Sequence, residues 1–322
     1  MKLADIFCDN LVFQRNKKIC IFGTGKGSGS INFCGKTTEF TSEEEEFRVY
    51  LPAEQAGGPY EMEIVLNEEQ IKLKNILIGD VYIAAGQSNM EFKLRYTSDI
   101  TFYECSEIRF FEEPHNCDMN MNTSYNNKGW CETKGNTVLD FSAVAYYFAY
   151  ELYKKTNVPI GIISCNKGAS RVDAWTAPEI TGTEMYQEFV SEKHYDYTNY
   201  RFNQENWLYK NKLLKIVPYA VNSVLWYQGE SNARLKEAVY YDKMLAAMID
   251  NWRSLWNDEL SFYLVQLMPH PNSNESICWA AIRESQEKVS KVVNDVYLTT
   301  LVDTGEAALI HPTRKRKWLW RL

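Results

Sequence analysis

The sequence predicts an α/β protein in which a parallel sheet follows a small antiparallel β unit. Residues 1 to about 75 contain strand-length apolar segments broken by glycine, proline and acidic clusters, which is typical of antiparallel strands joined by turns. From about residue 76, short apolar runs alternate with helical stretches, as in parallel sheets covered by helices. The predicted division is a β-rich accessory domain at 1–75 and an α/β domain at 76–322.

The first domain contains five predicted strands, at 11–15, 18–23, 31–35, 47–52 and 61–66. A glycine cluster, GTGKGSGS at 23–30, lies between the second and the third of them. Its spacing fits neither phosphate-loop pattern, and a strand rather than a helix follows it. The cluster therefore predicts a flexible hairpin turn.

The second domain contains apolar strands at 76–86, 108–111, 158–164, 222–227, 262–268 and 296–303. A helix is predicted at 141–156, where apolar positions recur every three to four residues and Ser142 suits a cap. Further helices are predicted at 238–256 and 280–295. Because sites of parallel sheets lie at the carboxyl ends of the strands, functional residues are expected there.

Charge and composition narrow the classes of function. The 35 Lys and Arg against 42 Asp and Glu give a net charge of −7, which argues against nucleic-acid and anionic-membrane partners. No apolar run approaches the length of about 20 residues that a transmembrane helix needs. Acids stand where a signal peptide has its apolar stretch, which predicts a cytoplasmic protein as given, with secretion left open.

Cysteine and histidine spacing gives no sign of a metal site. The eight cysteines lack the regular spacing of a disulfide framework and are predicted to be reduced and mostly buried. His115, Cys117 and Cys131 come nearest to a metal cluster, but their spacing matches no zinc pattern. No metal site is therefore predicted.

The end of the strand at 76–86 carries the first candidate residue. Gly86 and Gln87 precede Ser88, and small residues before a serine permit a tight turn. If a helix begins at Asn89, the Ser88 hydroxyl lies beside free backbone N–H groups that can hold an oxyanion. The residues alone leave two interpretations open: Ser88 is a nucleophile, or it is an N-cap.

Two further strand ends carry candidate residues. Gly168 follows the strand at 158–164, and it either brings its N–H to a substrate oxygen or is an ordinary loop glycine. Gln228, Gly229 and Glu230 follow a strand rich in aromatic residues. Their amide and carboxylate either bind a ligand or cap the next helix.

His311 follows the last predicted strand and is the candidate base, which a serine nucleophile needs at neutral pH. The other histidines, His115, His194 and His270, lie in polar or Pro/Asn-rich stretches without a companion motif. A lone histidine is more often structural than catalytic. Strands of one parallel sheet end at one rim, however, so Ser88 and His311 are expected to converge.

These motifs resemble the sialate O-acetylesterase family of the SGNH hydrolase superfamily. The resemblance rests on GQSNM at 86–90, the Gly168 segment, WYQGESNA at 226–233, IHP at 310–312 and LADIFCDNLVFQR at 3–15. It covers nearly the whole chain. It implies a flavodoxin-like, three-layer α/β/α domain with a parallel sheet, preceded by a small antiparallel β domain.

The resemblance also implies roles for individual residues. Ser88 attacks an acetyl carbonyl, and His311 takes the proton of its hydroxyl. The backbone N–H groups of Ser88 and Gly168 form the oxyanion hole with the Gln228 side chain. No metal or organic cofactor is needed, because acyl transfer works with a nucleophile, a base and oriented dipoles.

Substrate binding is assigned to residues near the strand ends. Aromatic rings there either stack on a sugar or belong to the core. The assigned residues are Gln87, Asn89, Glu230, Trp175 and Tyr227.

The chain departs from the family pattern in three places. The family usually carries an aspartate two residues before its histidine, where this chain has Leu309; Asp303 or Glu306 is the candidate replacement, and a Ser–His dyad is the alternative. The family's paired glycines are Gly168-Ala169 here. The chain ends at 322, where family members normally continue, which implies a shortened C-terminus, and the basic run at 314–317 is interpreted as a solvated helix face.

The implied function is a serine esterase that removes O-acetyl groups from a carbohydrate, with sialic acid the first expected substrate. Deacetylation of plant polysaccharides such as xylan is the alternative within enzymes. A catalytically weak carbohydrate-binding protein without the usual aspartate is the alternative class. The predicted partner is an acetylated carbohydrate, and the oligomeric state is not predicted.

Overall fold

The structure is a computed structural model and describes residues 1–98, 100–113, 129–190, 200–270, 276–303, 306 and 309–316. The strands in these ranges are β1 (Lys2–Leu3), β2 (Val12–Gln14), β3 (Ile19–Thr24), β4 (Gly27–Phe33), β5 (Lys36–Ser42), β6 (Glu46–Leu51), β7 (Gly57–Leu66), β8 (Glu69–Gly86), β9 (Cys105–Glu112), β10 (Trp130–Thr133), β11 (Ile160–Asn166), β12 (Ser223–Tyr227), β13 (Ser261–Val265) and β14 (Val296–Thr299). The α-helices are α1 (Ser88–Glu91), α2 (Ala143–Thr156), α3 (Pro178–Thr181), α4 (Glu184–Phe189), α5 (Trp207–Asn211), α6 (Leu235–Trp256) and α7 (Ser276–Val292). Short 3₁₀ turns lie at Leu94–Tyr96, Gly135–Asp140, Val172–Trp175, Arg201–Asn203, Leu213–Lys215 and Glu230–Asn232.

The N-terminal strands pair mostly antiparallel. β4, β5 and β7 form an antiparallel sheet that continues into the first half of β8, and β1, β3 and β6 form a separate antiparallel sheet. All five predicted strands are present, and burial alternates strictly along β6, as expected for a half-buried strand. The structure adds β5, whose sequence KTTEFTS is too polar to predict a strand.

The glycine cluster at 23–30 is not a hairpin turn, which corrects that prediction. The strands on either side of the turn, β3 and β4, belong to different sheets, and β4 begins inside the cluster. Gly29 lies so close to β7 that a Cβ atom would meet the Val65 carbonyl oxygen at 2.0 Å. The glycine is therefore required by the close approach of two strands.

The later strands form the predicted parallel arrangement. In spatial order they are β9, β11, β8, β12, β13 and β14, all parallel, with β10 antiparallel at the outer edge of β9. Every residue of β11 and β12 is buried, which explains their unbroken apolar runs. The mixed α/β fold is as predicted. β8 lies where the strand order changes direction, so a crevice is expected at its carboxyl end.

β8 runs without interruption through the predicted division after residue 75. Its first half pairs with β7 and its second half with β11 and β12, while β2 pairs with it in parallel. An ion pair of 2.8 Å between Arg15 and Asp80 also joins the two parts of the chain. The division into two domains stays a prediction.

The helices begin and end where local sequence signals place them. The Ser142 hydroxyl accepts a hydrogen bond of 3.2 Å from the Ala145 N–H at the start of α2, and Asn157 ends this helix in the left-handed conformation. In α6, Trp252 makes edge-on contacts with the rings of Trp175 and Trp226. None of the helices in the described ranges combines the length and the apolar character that crossing a bilayer requires.

Candidate active site

Contacts between the end of β8 and β12 set the turn before Ser88. Gly86 has a φ of +128°, and a Cβ atom there would meet the Tyr227 carbonyl oxygen at 2.1 Å, so the position requires glycine. The Gln87 N–H donates to the same carbonyl at 2.9 Å. α1 then begins at Ser88, with Gln87 as its N-cap residue. The N-cap interpretation of Ser88 is therefore wrong.

The Ser88 hydroxyl instead contacts the His311 ring. The distance from Ser88 Oγ to His311 Nε2 is 2.7 Å across 223 positions of sequence, and both residues are partly exposed. The structure thus brings the two residues together at the rim of the parallel sheet. Burial of the ring and the positive charge of Lys315 lower the pKa of His311. The ring is therefore neutral at neutral pH, and a neutral imidazole accepts a proton.

The candidate acids do not reach the histidine. Glu306 accepts hydrogen bonds from the Thr313 N–H and hydroxyl at 2.5 and 3.2 Å. Asp303 is exposed beyond the end of β14. Among the residues that the structure describes, the His311 ring has no hydrogen bond besides the one to Ser88. Neither carboxylate completes a triad in this arrangement.

Gly168 lies beside the candidate nucleophile. A Cβ atom on Gly168 would stand 3.6 Å from the Ser88 Cβ. The Gly168 N–H donates to Glu91 Oε2 at 2.5 Å, so a carboxylate of the chain itself covers this predicted oxyanion donor. Glu91 was not among the site residues predicted from the sequence. Its position three residues after Ser88, on the same face of a helix, is the signal that would have found it.

Gln228 has no donor left for a substrate oxygen, which corrects its predicted role. Its side chain is fully buried. Its Nε2 donates to Gln87 Oε1, the Ser170 carbonyl and Asn232 Oδ1 at 3.1, 3.0 and 2.8 Å. Gln87 Oε1 also accepts two backbone N–H groups of the Gln228 loop. Both amides cross-link loops beneath the site, so the substrate-binding prediction for Gln87 is wrong as well.

The two aromatic residues predicted to contact a sugar lie in the core. Trp175 and Tyr227 are both fully buried. The Trp175 indole N–H donates to the Ser170 hydroxyl at 3.0 Å, and its ring packs edge-on against Trp226. Because neither ring reaches solvent, the interpretation as core residues holds and the sugar-stacking interpretation is wrong.

A polar cluster lies behind Ser88 and His311. Asn89 is buried, its Nδ2 donates to Glu230 Oε1 at 2.7 Å, and its Oδ1 accepts from Lys315 Nζ at 2.6 Å. Removal from water raises the pKa of Glu230 to about 7, against the Asn89 hydrogen bond and the Lys315 charge. Asn89 therefore contacts protein rather than substrate, which corrects its prediction. Glu230 Oε2 is buried without a hydrogen-bond partner among the described residues, and a substrate-binding role of Glu230 stays a prediction.

Lys315 is the member of this cluster whose environment differs from the prediction. It is completely buried, whereas Arg314 and Arg316 on either side are exposed. Burial lowers the pKa of Lys315 to about 7, against the charges of Glu230 and Glu306. The solvated-face interpretation of 314–317 is therefore wrong at this position, and Lys317 lies outside the described residues.

The metal-like spacing of the sequence falls largely in a part of the chain that the structure leaves undescribed. His115 and Cys117, from the nearest metal-like spacing, lie outside the described residues. Within the described ranges, no group of three or more His, Cys, Asp or Glu is arranged to hold a metal ion.

Comparison with known proteins places the chain in a family. Residues 78–311 match the family model described as carbohydrate esterase, sialic acid-specific acetylesterase. The sialate O-acetylesterases of Pongo abelii and Homo sapiens are each 23% identical over 239 residues, covering 69% of this chain and 45% of theirs. The chain thus spans less than half the length of these relatives.

A solved structure extends the comparison to the whole chain. The carbohydrate acetylesterase from Xanthomonas citri superposes with a TM-score of 0.88 at 30% identity, covering 100% of this chain and 73% of that one. The family model spans most of the chain, from β8 to the histidine that contacts Ser88. The chain therefore belongs to the carbohydrate esterase family described as sialic acid-specific acetylesterases.

Proposed function

We propose that the chain is a serine esterase that hydrolyses O-acetyl esters of carbohydrates through an acetyl-enzyme on Ser88. The observation that carries this proposal is the distance of 2.7 Å between Ser88 Oγ and His311 Nε2. A hydroxyl in contact with a neutral imidazole is the pair that acyl transfer requires. Membership of a carbohydrate esterase family supports an acetyl ester as the substrate.

We also infer the SGNH arrangement for this fold. β9 and β10 extend one edge of the sheet. The other parallel strands lie side by side in the spatial order β11, β8, β12, β13 and β14. Numbered along the chain, this is the flavodoxin order 2-1-3-4-5. Ser88 follows β8, Gly168 follows β11 and Gln228 follows β12, which are the strands numbered 1, 2 and 3 along the chain. The three-layer domain and the small N-terminal β domain are part of this proposal.

Acylation begins when His311 Nε2 accepts the Ser88 hydroxyl proton and Oγ bonds to the acetyl carbonyl carbon. The carbonyl oxygen becomes an oxyanion. The Ser88 N–H, in the first turn of α1, and the Gly168 N–H receive it once the Glu91 carboxylate moves aside. The intermediate then collapses, the bond from the acetyl carbon to the sugar oxygen breaks, and the imidazolium returns its proton to that oxygen.

Deacylation repeats these steps with water. His311 takes a proton from the water, whose oxygen bonds to the acetyl carbon and forms a second oxyanion. The bond to Ser88 Oγ then breaks, His311 protonates Oγ, and acetic acid leaves and loses its proton to the solvent. Since no carboxylate contacts the ring among the described residues, the imidazolium is stabilised less than in a full triad. We therefore expect turnover to be slow for an enzyme of this kind.

The proposed substrate is an O-acetylated sialic acid, because the family model carries that specificity in its description. Acetylated polysaccharides such as xylan are the alternative substrates. A carbohydrate-binding protein with little activity is the competing proposal, and the lack of an acid on the His311 ring among the described residues favours it.

Hydrolysis of p-nitrophenyl acetate tests the proposal. Ser88→Ala is expected to lower kcat by about 10⁴-fold or more. Ser254→Ala, an exposed serine of α6, is the matched control and keeps the wild-type rate. Equal rates for wild type and Ser88→Ala would refute the nucleophile. An inactive wild type that binds acetylated sugar would favour the binding protein. Acetate release from O-acetylated sialic acid and from acetylated xylan then identifies the substrate.

A further inference from the structure

The Asn89 side chain joins the Ser88 turn to the segment that carries His311. Its Nδ2 donates to the Ile310 carbonyl oxygen at 3.0 Å, and its Oδ1 accepts from Lys315 Nζ at 2.6 Å. Ile310 directly precedes the histidine, and Lys315 follows it by four residues. A single amide next to the nucleophile therefore holds the base-bearing segment on both sides of the base.

Burying the charge of Lys315 between the Ser88 turn and the His311 segment is energetically unfavourable. Its side chain is completely buried, and a charge removed from water must be compensated by close partners. Its ammonium contacts Asn89 and lies 4.9 Å from the ring centre of Phe92 and 5.7 Å from that of Tyr227. An apolar side chain would fill the same space without this cost, so packing alone does not explain a lysine.

We propose that Lys315 and Asn89 are positioning residues of the esterase, which hold His311 against Ser88 in place of the aspartate that position 309 lacks. The proposal rests on the proposed function, because it takes Ser88 and His311 as the reacting pair. Leu309, at the position of the usual acid, is 45% exposed and its N–H donates to the Glu306 carbonyl. The segment is thus held from the side of the nucleophile rather than through the far side of the ring.

This device differs from a triad acid in its electrostatics. An aspartate both orients the ring and stabilises the imidazolium, whereas a lysine that orients the segment disfavours the imidazolium. The groups facing Lys315 are His311, Glu230, Glu306 and the Tyr227 ring. At pH 5 to 6 Lys315 is protonated and Glu230 is neutral, because the pKa of each lies at about 7.

The sign of the pH effect follows from these charges. The Lys315 ammonium, together with burial, lowers the pKa of His311. Removing the ammonium raises that pKa, so more of the base is protonated at a given acidic pH. The acidic limb of the kcat/KM profile must then move to higher pH when Lys315 is replaced by a neutral residue.

Two substitutions separate positioning from charge. Lys315→Met is expected to lower kcat by about 10- to 100-fold with KM little changed, since a displaced base costs about 10²-fold, and to move the acidic limb to higher pH. Asn89→Ala removes the hydrogen bonds to Ile310 and Lys315 but keeps the Lys315 ammonium. We therefore expect kcat to fall while the acidic limb of the kcat/KM profile stays in place. Arg316→Met removes an exposed charge one residue away and is the matched control.

Rates are normalised to active sites titrated with a fluorophosphonate, which corrects for poorly folded protein. If Lys315→Met and Asn89→Ala both keep kcat within about threefold of the wild type, the positioning role is refuted. If Lys315→Met lowers kcat but does not move the acidic limb of the kcat/KM profile, Lys315 has only a structural role and the proposal also fails. Full activity of Ser88→Ala would instead refute the proposed function, so the two failures are distinguishable.

Discussion

The Ser88 turn and the His311 segment meet at one hydrogen bond, but the fold holds them in different ways. The turn ends β8, which has a parallel strand on each side, with Gly86 in register with Asn166 and Tyr227. Backbone hydrogen bonds of two ladders therefore fix the position of Ser88, the proposed nucleophile. The buried amides of the Gln87–Gln228 pair brace it from below.

The His311 segment, residues 309–316, has no such support in the part of the chain that the structure describes. It follows β14 without adding a strand to the sheet, and Ile310 is 42% exposed. Side chains make many of the contacts that hold it: Asn89, Lys315 and the Glu306 carboxylate on Thr313. Backbone hydrogen bonds of 3.2 Å from the Ser98 N–H to the Thr313 carbonyl oxygen and of 2.8 Å from the Leu309 N–H to the Glu306 carbonyl oxygen add to them. Ladder hydrogen bonds thus place Ser88, the proposed nucleophile, whereas side chains contribute much of the support of His311, the proposed base. Substitutions beside Ser88 should therefore act mainly on stability, and substitutions in the His311 segment mainly on activity.

The largest expected effect is on activity and comes from the base. His311→Ala should lower kcat/KM by about 10⁴-fold, because His311 is the base that contacts Ser88 among the described residues. The free energy of unfolding should change by less than about 1 kcal/mol, since the ring is only half-buried and lies outside the sheet. Esterase kinetics and urea unfolding measure the two effects. His270→Ala is the control with wild-type activity, and an active His311→Ala would show that His311 is not the base.

The second effect is on stability and comes from the nucleophile side. Gly86→Ala should lower the free energy of unfolding by about 3 kcal/mol, because the new Cβ would meet the Tyr227 carbonyl at a positive φ. Gly135→Ala is the matched control: Gly135 also has a positive φ, but a Cβ there meets nothing within 4 Å, so the cost is about 1 kcal/mol. Equal losses in urea unfolding would show that the backbone does not fix the Ser88 turn.

A third substitution introduces the acid that the family resemblance implies at position 309. Leu309→Asp should raise kcat by up to about tenfold and raise the pKa of His311, because a carboxylate stabilises the imidazolium. The acidic limb of kcat/KM then moves to higher pH. Ile310→Asp places the same charge on the neighbouring exposed residue and should give no gain. An equal gain in both variants would point to a general effect of charge.

The smallest effect concerns the covered oxyanion donor. The Glu91 carboxylate competes with a substrate carbonyl for the Gly168 N–H, and one such hydrogen bond is worth about 1 kcal/mol. Glu91→Ala should therefore lower KM by about fivefold with kcat little changed. Glu179→Ala, an exposed acid of α3, is the control. A higher KM in Glu91→Ala would show that the carboxylate helps substrate binding.

Local sequence patterns predicted most of the strands and helices of the fold. Some features depend only on residues that are close in sequence, and these could be predicted. They are the apolar runs of β11 and β12 and the Ser142 cap of α2. The approach of Ser88 and His311 was also predictable, because the carboxyl ends of parallel strands share one rim. β5 was missed because its alternation is almost entirely polar.

The lining of the site was less predictable, since burial at a strand end depends on loops from distant parts of the chain. Trp175 and Tyr227 look like sugar contacts in the sequence and are core residues in the fold. Lys315 lies in a basic run that reads as solvated, yet its partner Asn89 is 226 positions away. The position of Gln228 at a strand end was predicted correctly, but its side-chain amide donates to Asn232 of the protein instead of facing a substrate.

The uninterrupted course of β8 from Glu69 to Gly86 has a mechanical consequence. One covalent backbone carries the ladder with β7 at one end and the nucleophile turn at the other. Loss of the β7–β8 ladder would therefore loosen the strand whose carboxyl end leads into the Ser88 turn. Melting of the N-terminal strands and loss of hydrolysis should coincide in one cooperative transition.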